Sequence, residues 1–293
     1  MKTILHADRS GRDHLSLKLR LICVAFLATT IITIAHAEHL PRPDHVVVVI
    51  EENRGYGQIM DKLNSGSYIH ALAKRGMLFT RSYGVSHPSQ PNYLALFSGS
   101  TQGVTSNACG YSFTTNNLAS ALIDKGLSFA SYAESLPEAG DLRCMSGPYQ
   151  RKHNPVSNWQ GTRLSSSMNL PFSEFPKDFS TLPTVSLVIP NQSNDMHDGS
   201  LEAADDWLKT RIDPYVDWAF KNNSLLILTW DEDDLRQNNH VVTVFVGPMV
   251  RVGINEQRIN HYNVLRTLLD FYGLSAVGAS QSNEAIKGVW LNH

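Results

Sequence analysis

Val46-Val47-Val48-Val49-Ile50, running straight into Glu51-Glu52-Asn53, decides the fold. Five apolar residues in a row, all β-branched, leave no polar side chain for solvent. Such a run describes a strand covered on both faces, as at the centre of a parallel sheet. Comparable runs follow at Met77-Leu78-Phe79 (ending near Val85), Leu127 to Tyr132, Val185 to Ile189, Leu225 to Trp230 and Val241 to Val246. Helical patterns separate them. Asn92 to Phe97 can open a helix, and Asn117 to Lys125 is amphipathic. Trp207, Leu208 and Ile212 share a helical face, and Asp213-Pro214 reads as an N-cap followed by proline at the first helical position. Tyr262, Leu265, Leu268, Leu269 and Tyr272 form a last helix closed by Gly273. Strands alternating with helices predict an α/β three-layer sandwich with a mostly parallel central sheet. Ligands in such folds bind beyond the carboxyl ends of the strands.

Polar clusters stand at those ends. Glu51-Glu52-Asn53 follows the first strand. Two adjacent carboxylates repel unless neutralised, so Glu52 and Asn53 are candidate hard-oxygen ligands for a divalent cation. A solvated acidic turn is the competing reading. Trp230-Asp231-Glu232-Asp233-Asp234 follows another strand. Asp231 and Glu232 are the expected ligands there, and Asp233 and Asp234 the solvated pair. Ser89 lies in Ser86-His87-Pro88-Ser89-Gln90-Pro91-Asn92-Tyr93, stiffened by two prolines ahead of a helix. A hydroxyl at that place faces free N–H groups, and Asn92 adds a donor for an anion. Metal coordination would activate the serine. The alternative is that Ser89 and Asn92 only cap the helix.

Pro190 to Gly199 carries His197 between Asp195 and Asp198, as a ligand or as a general acid for a leaving alkoxide. Tyr149-Gln150-Arg151-Lys152-His153-Asn154-Pro155 gathers cations on one loop that would hold an anionic substrate. His261 opens the last helix and reads as a capping or packing residue.

Bulk properties narrow the class. Residues 1–37 read as a signal peptide: Lys18 and Arg20 precede the uncharged stretch Leu21 to Ala35, and Ala35-His36-Ala37 is a cleavage signature. An uncleaved anchor is the alternative, although the apolar run is shorter than the ~20 residues a membrane helix needs. The mature chain, 38–293, is expected to be one catalytic domain. Cleavage removes five basic and two acidic residues and leaves a net charge of −5. No basic stripe remains, which argues against nucleic acid as a partner. No amphipathic basic helix suits a membrane surface, so no stable membrane association is expected after cleavage. Two cysteines remain, Cys109 and Cys144. An even pair in an exported chain predicts a disulfide, against the alternative of two buried thiols.

Together these stretches resemble the phosphoesterase family of acid phosphatases and phospholipases C, within the alkaline phosphatase-like superfamily. The segments that carry the resemblance are IEEN at 50–53, HPSQPNY at 87–93, YQRKHNP at 149–155, PNQSNDMHDGS at 190–200, TWDE at 229–232 and NHYNVLRTLLDFYGL at 260–274. The resemblance implies a serine nucleophile that also ligates metal, at Ser89. It implies metal ligation by Glu52, Asn53, Asp231 and Glu232, and an active-site histidine at His197. It gives Asn92 a contact to the phosphoryl oxygen. There is no clear Asp-Gly-His ligand pair, so one or two divalent ions of open identity are expected. The expected activity is that of an exported, metal-dependent phosphoric ester hydrolase acting on a small phosphorylated substrate through a phosphoserine. Lys152 and His153 would bind substrate, and His197, or else His153, would assist the leaving group. The rivals are a phosphodiesterase or phospholipase C and, outside enzymes, a metal- or phosphate-binding protein.

Overall fold

The run of valines forms a strand with no solvent face. In the computed structural model, which describes residues 40–291, β1 (His45–Glu51) is buried along nearly its whole length. Val46, Val48 and Ile50 enter one apolar core and Val47 and Val49 the other. The leader expected at 1–37 lies outside the described residues.

The remaining strands are β2 (Met77–Tyr83), β3 (Phe129–Ala133), β4 (Met145–Ser146), β5 (Tyr149–Gln150), β6 (Asn169–Pro171), β7 (Val185–Ile189), β8 (Ser224–Trp230), β9 (His240–Val246), β10 (Gly253–Asn255) and β11 (Ile259–Asn260). The main sheet runs β10-β2-β9-β8-β1-β7-β3-β6, with β11 also paired to β2. All its ladders are parallel except those of β9, which is antiparallel to both β8 and β2. The short connection between β8 and β9 dictates this, because a parallel return needs a dozen or more residues. β4 and β5 form a separate antiparallel hairpin.

The helices are α1 (Tyr56–Met60), α2 (Tyr68–Arg75), α3 (Ser89–Ser98), α4 (Leu118–Asp124), α5 (Leu201–Arg211), α6 (Asp213–Ala219) and α7 (His261–Phe271). α3, α4 and α7 cover the even-valine face of β1, and α1, α2, α5 and α6 cover the odd face. This is the expected three-layer sandwich. Among the described residues no helix is long and apolar enough to cross a membrane.

Local chemistry explains the boundaries. Asn260 caps α7 by accepting from Tyr262 N and Asn263 N, and Gly273, at φ 61°, supplies the left-handed turn after it. α3 begins at Ser89, three residues before the sequence-based start, because Pro91 fits a helix's first turn. α2 was not read from sequence. It is fixed from outside: the Asp205 carboxylate on α5 accepts from Tyr68 N and Ile69 N at 2.7 and 2.8 Å. Cys109 and Cys144 form the expected disulfide, with Cα atoms 5.7 Å apart.

Candidate active site

Strand register assembles the site. β1 and β8 pair in parallel with Glu51 opposite Trp230. The next residues, Glu52 and Asp231, therefore leave the sheet side by side, and Asp231 N donates to Glu51 O at 3.0 Å. Side chains alternate across a sheet. Glu52 follows Val48 and Ile50 to the α3 face, while Glu51 follows Val47 and Val49 to the opposite face.

The N-terminus of α3 meets this pair. Ser89, its first residue, is 1 % exposed. Its Oγ lies 2.9 Å from Glu232 Oε1 and 3.1 Å from Glu52 Oε2, so its single proton has two carboxylate acceptors. Oxygens of Glu52, Asp231 and Glu232 all lie within 4.8 Å of one another. Burial raises the pKa of all three. Asp231 is pushed well above the carboxylate range, by burial first and then by the charges of Glu52 and Glu232. Asp231 Oδ2 is buried with no hydrogen-bond donor, and Glu52 Oε1 is buried with only the close approach of His153 Nε2, at 3.0 Å, outside hydrogen-bond geometry. Three crowded hard-oxygen donors with unfilled lone pairs are a set that a divalent cation fits. Asn53, with φ 51°, turns the chain beside them, and its N donates to Asp231 Oδ1 at 3.3 Å.

Histidines surround the cluster in different states. His153 is 1 % exposed and stacks on Tyr93. Its Nε2 approaches Glu52 Oε1 at 3.0 Å and its Nδ1 lies 3.5 Å from Asp195 Oδ2. Burial lowers its pKa to about 4, so at neutral pH it is uncharged. It stands behind the carboxylates, not on the substrate side where sequence placed it. His197 lines the open cavity. Its Nδ1 is 2.7 Å from Asp198 Oδ1, and its Nε2 is 3.4 Å from Lys152 Nζ. His261 Nε2 is 2.6 Å from Asp231 O and is held neutral by burial, a packing role that also fixes a ligand-bearing turn.

Two cationic or amide donors have other uses. Arg151 is buried, and its guanidinium is spent on Leu142 O, Tyr111 O and the Ser157–Asn158 turn. It builds the loop and does not face a substrate. The Asn92 amide donates to Ser86 O at 2.8 Å and accepts from Val85 N and Ser86 N. It clamps the turn that carries Ser89, in place of the free anion donor expected from sequence. Asp233, expected to be solvated, is buried and accepts from Leu235 N, Gln237 N and Asn239 N.

Sequence reading also passed over His87. Its Nδ1 lies 2.5 Å from Glu232 Oε2 and its Nε2 3.4 Å from Asp233 Oδ1. A histidine two residues from a candidate nucleophile was the available signal. The cavity over the cluster measures about 310 Å³, and its lining includes Asn53, Arg54, His87, His197, Glu232 and Leu235. A larger cleft of about 520 Å³, lined by Phe172, Phe175, Lys177 and Arg211, holds no comparable set of reactive groups. The chemistry therefore belongs to the smaller one.

Comparison with known proteins bears on the family and the fold. A phosphatidylinositol-3-phosphatase of Mycobacterium tuberculosis is 44 % identical over 257 residues, covering 87 % of this chain and 85 % of the relative. An acid phosphatase of Aspergillus fumigatus is 30 % identical over 71 % of this chain, which spans only about half (51 %) of that fungal protein's length. Among solved structures, an alkaline phosphatase superfamily protein from Vibrio parahaemolyticus superposes with a TM-score of 0.57 at 13 % identity, over 81 % of this chain and 68 % of that one. A phosphonate monoester hydrolase of Agrobacterium radiobacter gives 0.53 at 14 %, over 84 % and 78 %. At these identities the structures speak for the fold alone, and the fold is that of the alkaline phosphatase superfamily. The Phosphoesterase family itself matches residues 62–275, most of the chain, so this protein belongs to the phosphoesterase family.

Proposed function

We propose that this chain is an exported, divalent-metal-dependent phosphomonoesterase whose nucleophile is Ser89. As a phosphoesterase family member it is a hydrolase of phosphoric esters, and the names of its phosphatase relatives favour monoesters. One observation carries the mechanism: a buried hydroxyl on the first residue of a helix, within 3.1 Å of two carboxylates in a buried cluster of three.

Glu52, Asp231 and Glu232 would hold the ion, with Asn53 at the adjoining turn. A divalent ion there supplies positive charge that favours the serine alkoxide and offsets charge on the transferring phosphoryl group. The protein does the rest. Glu232 or Glu52 accepts the Ser89 proton, and Ser89 Oγ attacks phosphorus while the alcohol departs. His197, oriented by Asp198 and lining the cavity, delivers a proton to the leaving oxygen. Water then attacks the phosphoserine, releasing phosphate and restoring the hydroxyl. Lys152, beside His197, attracts the substrate anion. His153, buried and neutral, braces Glu52.

Export rests on the leader-like segment at 1–37 together with the disulfide, which persists in oxidising compartments. Removal of the leader would leave 38–293 as one catalytic domain. The direct test is turnover of p-nitrophenyl phosphate before and after chelation and re-addition of metal. Chelation is expected to abolish turnover and re-addition to restore it. Full activity in protein free of metal by elemental analysis would overturn the reading. Preference for bis-p-nitrophenyl phosphate would replace the monoesterase with a diesterase.

A further inference from the structure

We propose that Arg54 selects phosphomonoesters whose alcohol portion carries a second anionic group. The inference rests on the phosphomonoesterase reading and adds a specificity-determining residue to it.

Arg54 lines the same cavity as His87, His197 and Glu232, and it is the one arginine or lysine among the described lining residues. Three of the other lining residues are acids: Glu232, Asp233 and Asp234. Each has its own partners. Glu232 faces Ser89 and His87, Asp233 is taken up by backbone N–H groups, and Asp234 lies 3.4 Å from Arg236 Nε. Arg54 has no carboxylate within ion-pair distance among the described residues. Its one described hydrogen bond runs from Nη1 to Asn53 O, at 3.1 Å. A guanidinium has five N–H donors in a fixed planar fork. Most of that fork is unspoken for, in a cavity where Glu232 and Asp233 are engaged and Asp234 keeps one buried oxygen, Oδ1, without a partner.

The segment bearing Arg54 is fastened. Asn53 turns at φ 51° and its N donates to Asp231 Oδ1. Gly55 N donates to Gln58 Oε1 at 2.8 Å, and Gly57 N to Gln237 Oε1 at 3.0 Å. The Asp233-to-Asn239 loop completes the cavity. It displays Leu235 at φ 68°, a costly conformation for a branched side chain, and leaves it 76 % exposed. The mouth therefore combines a free guanidinium with an apolar ledge on a braced backbone. Ser89 bonds Glu232, which lines this mouth, so the alcohol of a phosphate seated at Ser89 would extend toward it. A phosphate, monoester or diester, elsewhere on that alcohol would meet the Arg54 fork in the bidentate geometry that arginine favours.

The test compares substrates that differ only in the second anion: myo-inositol 3-phosphate and myo-inositol 1,3-bisphosphate, with p-nitrophenyl phosphate as the reference. Wild type is expected to favour the bisphosphate by tenfold or more in kcat/KM. Arg54→Gln should lower the bisphosphate value about tenfold, mostly through KM, and lower the other two less than threefold. Arg54→Lys should recover part of the preference. Dibutanoyl phosphatidylinositol 3-phosphate separates the sources: a preference for it that depends on Arg54 assigns the second anion to a lipid-type diester, and one confined to the bisphosphate assigns it to a soluble polyphosphate. Equal losses on all substrates in Arg54→Gln, or no preference in wild type, would overturn the inference while leaving the enzyme reading intact. Failure of wild type to hydrolyse p-nitrophenyl phosphate in the presence of metal would overturn the enzyme reading instead.

Discussion

Glu51 and Glu52 are neighbours in the chain, identical in chemistry and both fully buried, yet the sheet sends them into opposite environments. Glu52 reaches the α3 face, where Ser89, His153, Asp231 and Glu232 gather around it. Glu51 reaches the other face, where neither of its oxygens has a donor. Burial, followed by the charge of Asp195, pushes its carboxyl well above the usual range, which disfavours the charged form of Glu51. A pair of acids at a strand end is thus one group in the reactive cluster and one interior group on the opposite face. Strand alternation decides which is which.

The contrast can be broken from the reactive side first. Ser89→Ala should lower turnover by about a thousandfold or more while the protein melts normally. Near-normal turnover would remove the serine from the mechanism. Glu52→Gln should lower turnover by about a hundredfold and reduce bound metal by elemental analysis, as loss of a charged ligand does. Should Glu51→Gln produce that loss while Glu52→Gln does not, the assignment of faces is wrong.

Stability effects come next. Replacing both Cys109 and Cys144 with serine should cost about 3 to 4 kcal/mol in a denaturant titration, from the entropy of the opened loop, without affecting metal stoichiometry. Asp195 links the two faces, since it lies near His153 and exerts the largest charge effect on Glu51. Burial raises its carboxyl to about 7. Between pH ~4, the ordinary aspartate value, and pH ~7 the folded chain therefore keeps a proton that the unfolded chain has released. Stability of the metal-free protein is expected to fall as pH rises through that window. Thermal midpoints in chelator should show the fall, and Asp195→Asn should flatten it. The smallest effect is reserved for Glu51→Gln. A near-isosteric amide on the face away from Ser89 should change turnover less than about threefold and stability by less than about 1 kcal/mol.

What could be read from sequence was whatever depends on local runs. Val46 to Ile50 announced a doubly covered strand, and the acids after it and after Trp230 marked the sheet edge where Glu52, Asp231 and Glu232 meet. Long-range partnerships were not legible. His87 engages Glu232 from 145 residues away; its place two residues before Ser89 hints at a role but does not name that partner. Arg151 looked like a substrate cation because charge is visible in sequence, whereas its carbonyl partners Leu142 and Tyr111 are not. Asn92 looked like an anion donor because the turn it clamps, Val85 to Pro88, closes only in three dimensions. α2 escaped notice because Asp205, far along the chain, satisfies its first N–H groups.

The Cys109–Cys144 bond closes a stretch whose ends are 35 residues apart in sequence. Arg143, half of whose side chain is exposed, lies immediately before the second cysteine. Should a trypsin-like protease outside the cell sever the backbone there, the amino-terminal fragment with Glu52 and Ser89 and the carboxyl-terminal fragment with His197 and Asp231 would stay covalently joined. The nicked molecule would migrate as one species without reductant and as two with it. If the chain is exported as proposed, one covalent cross-link would turn a cut at Arg143 into a silent scar.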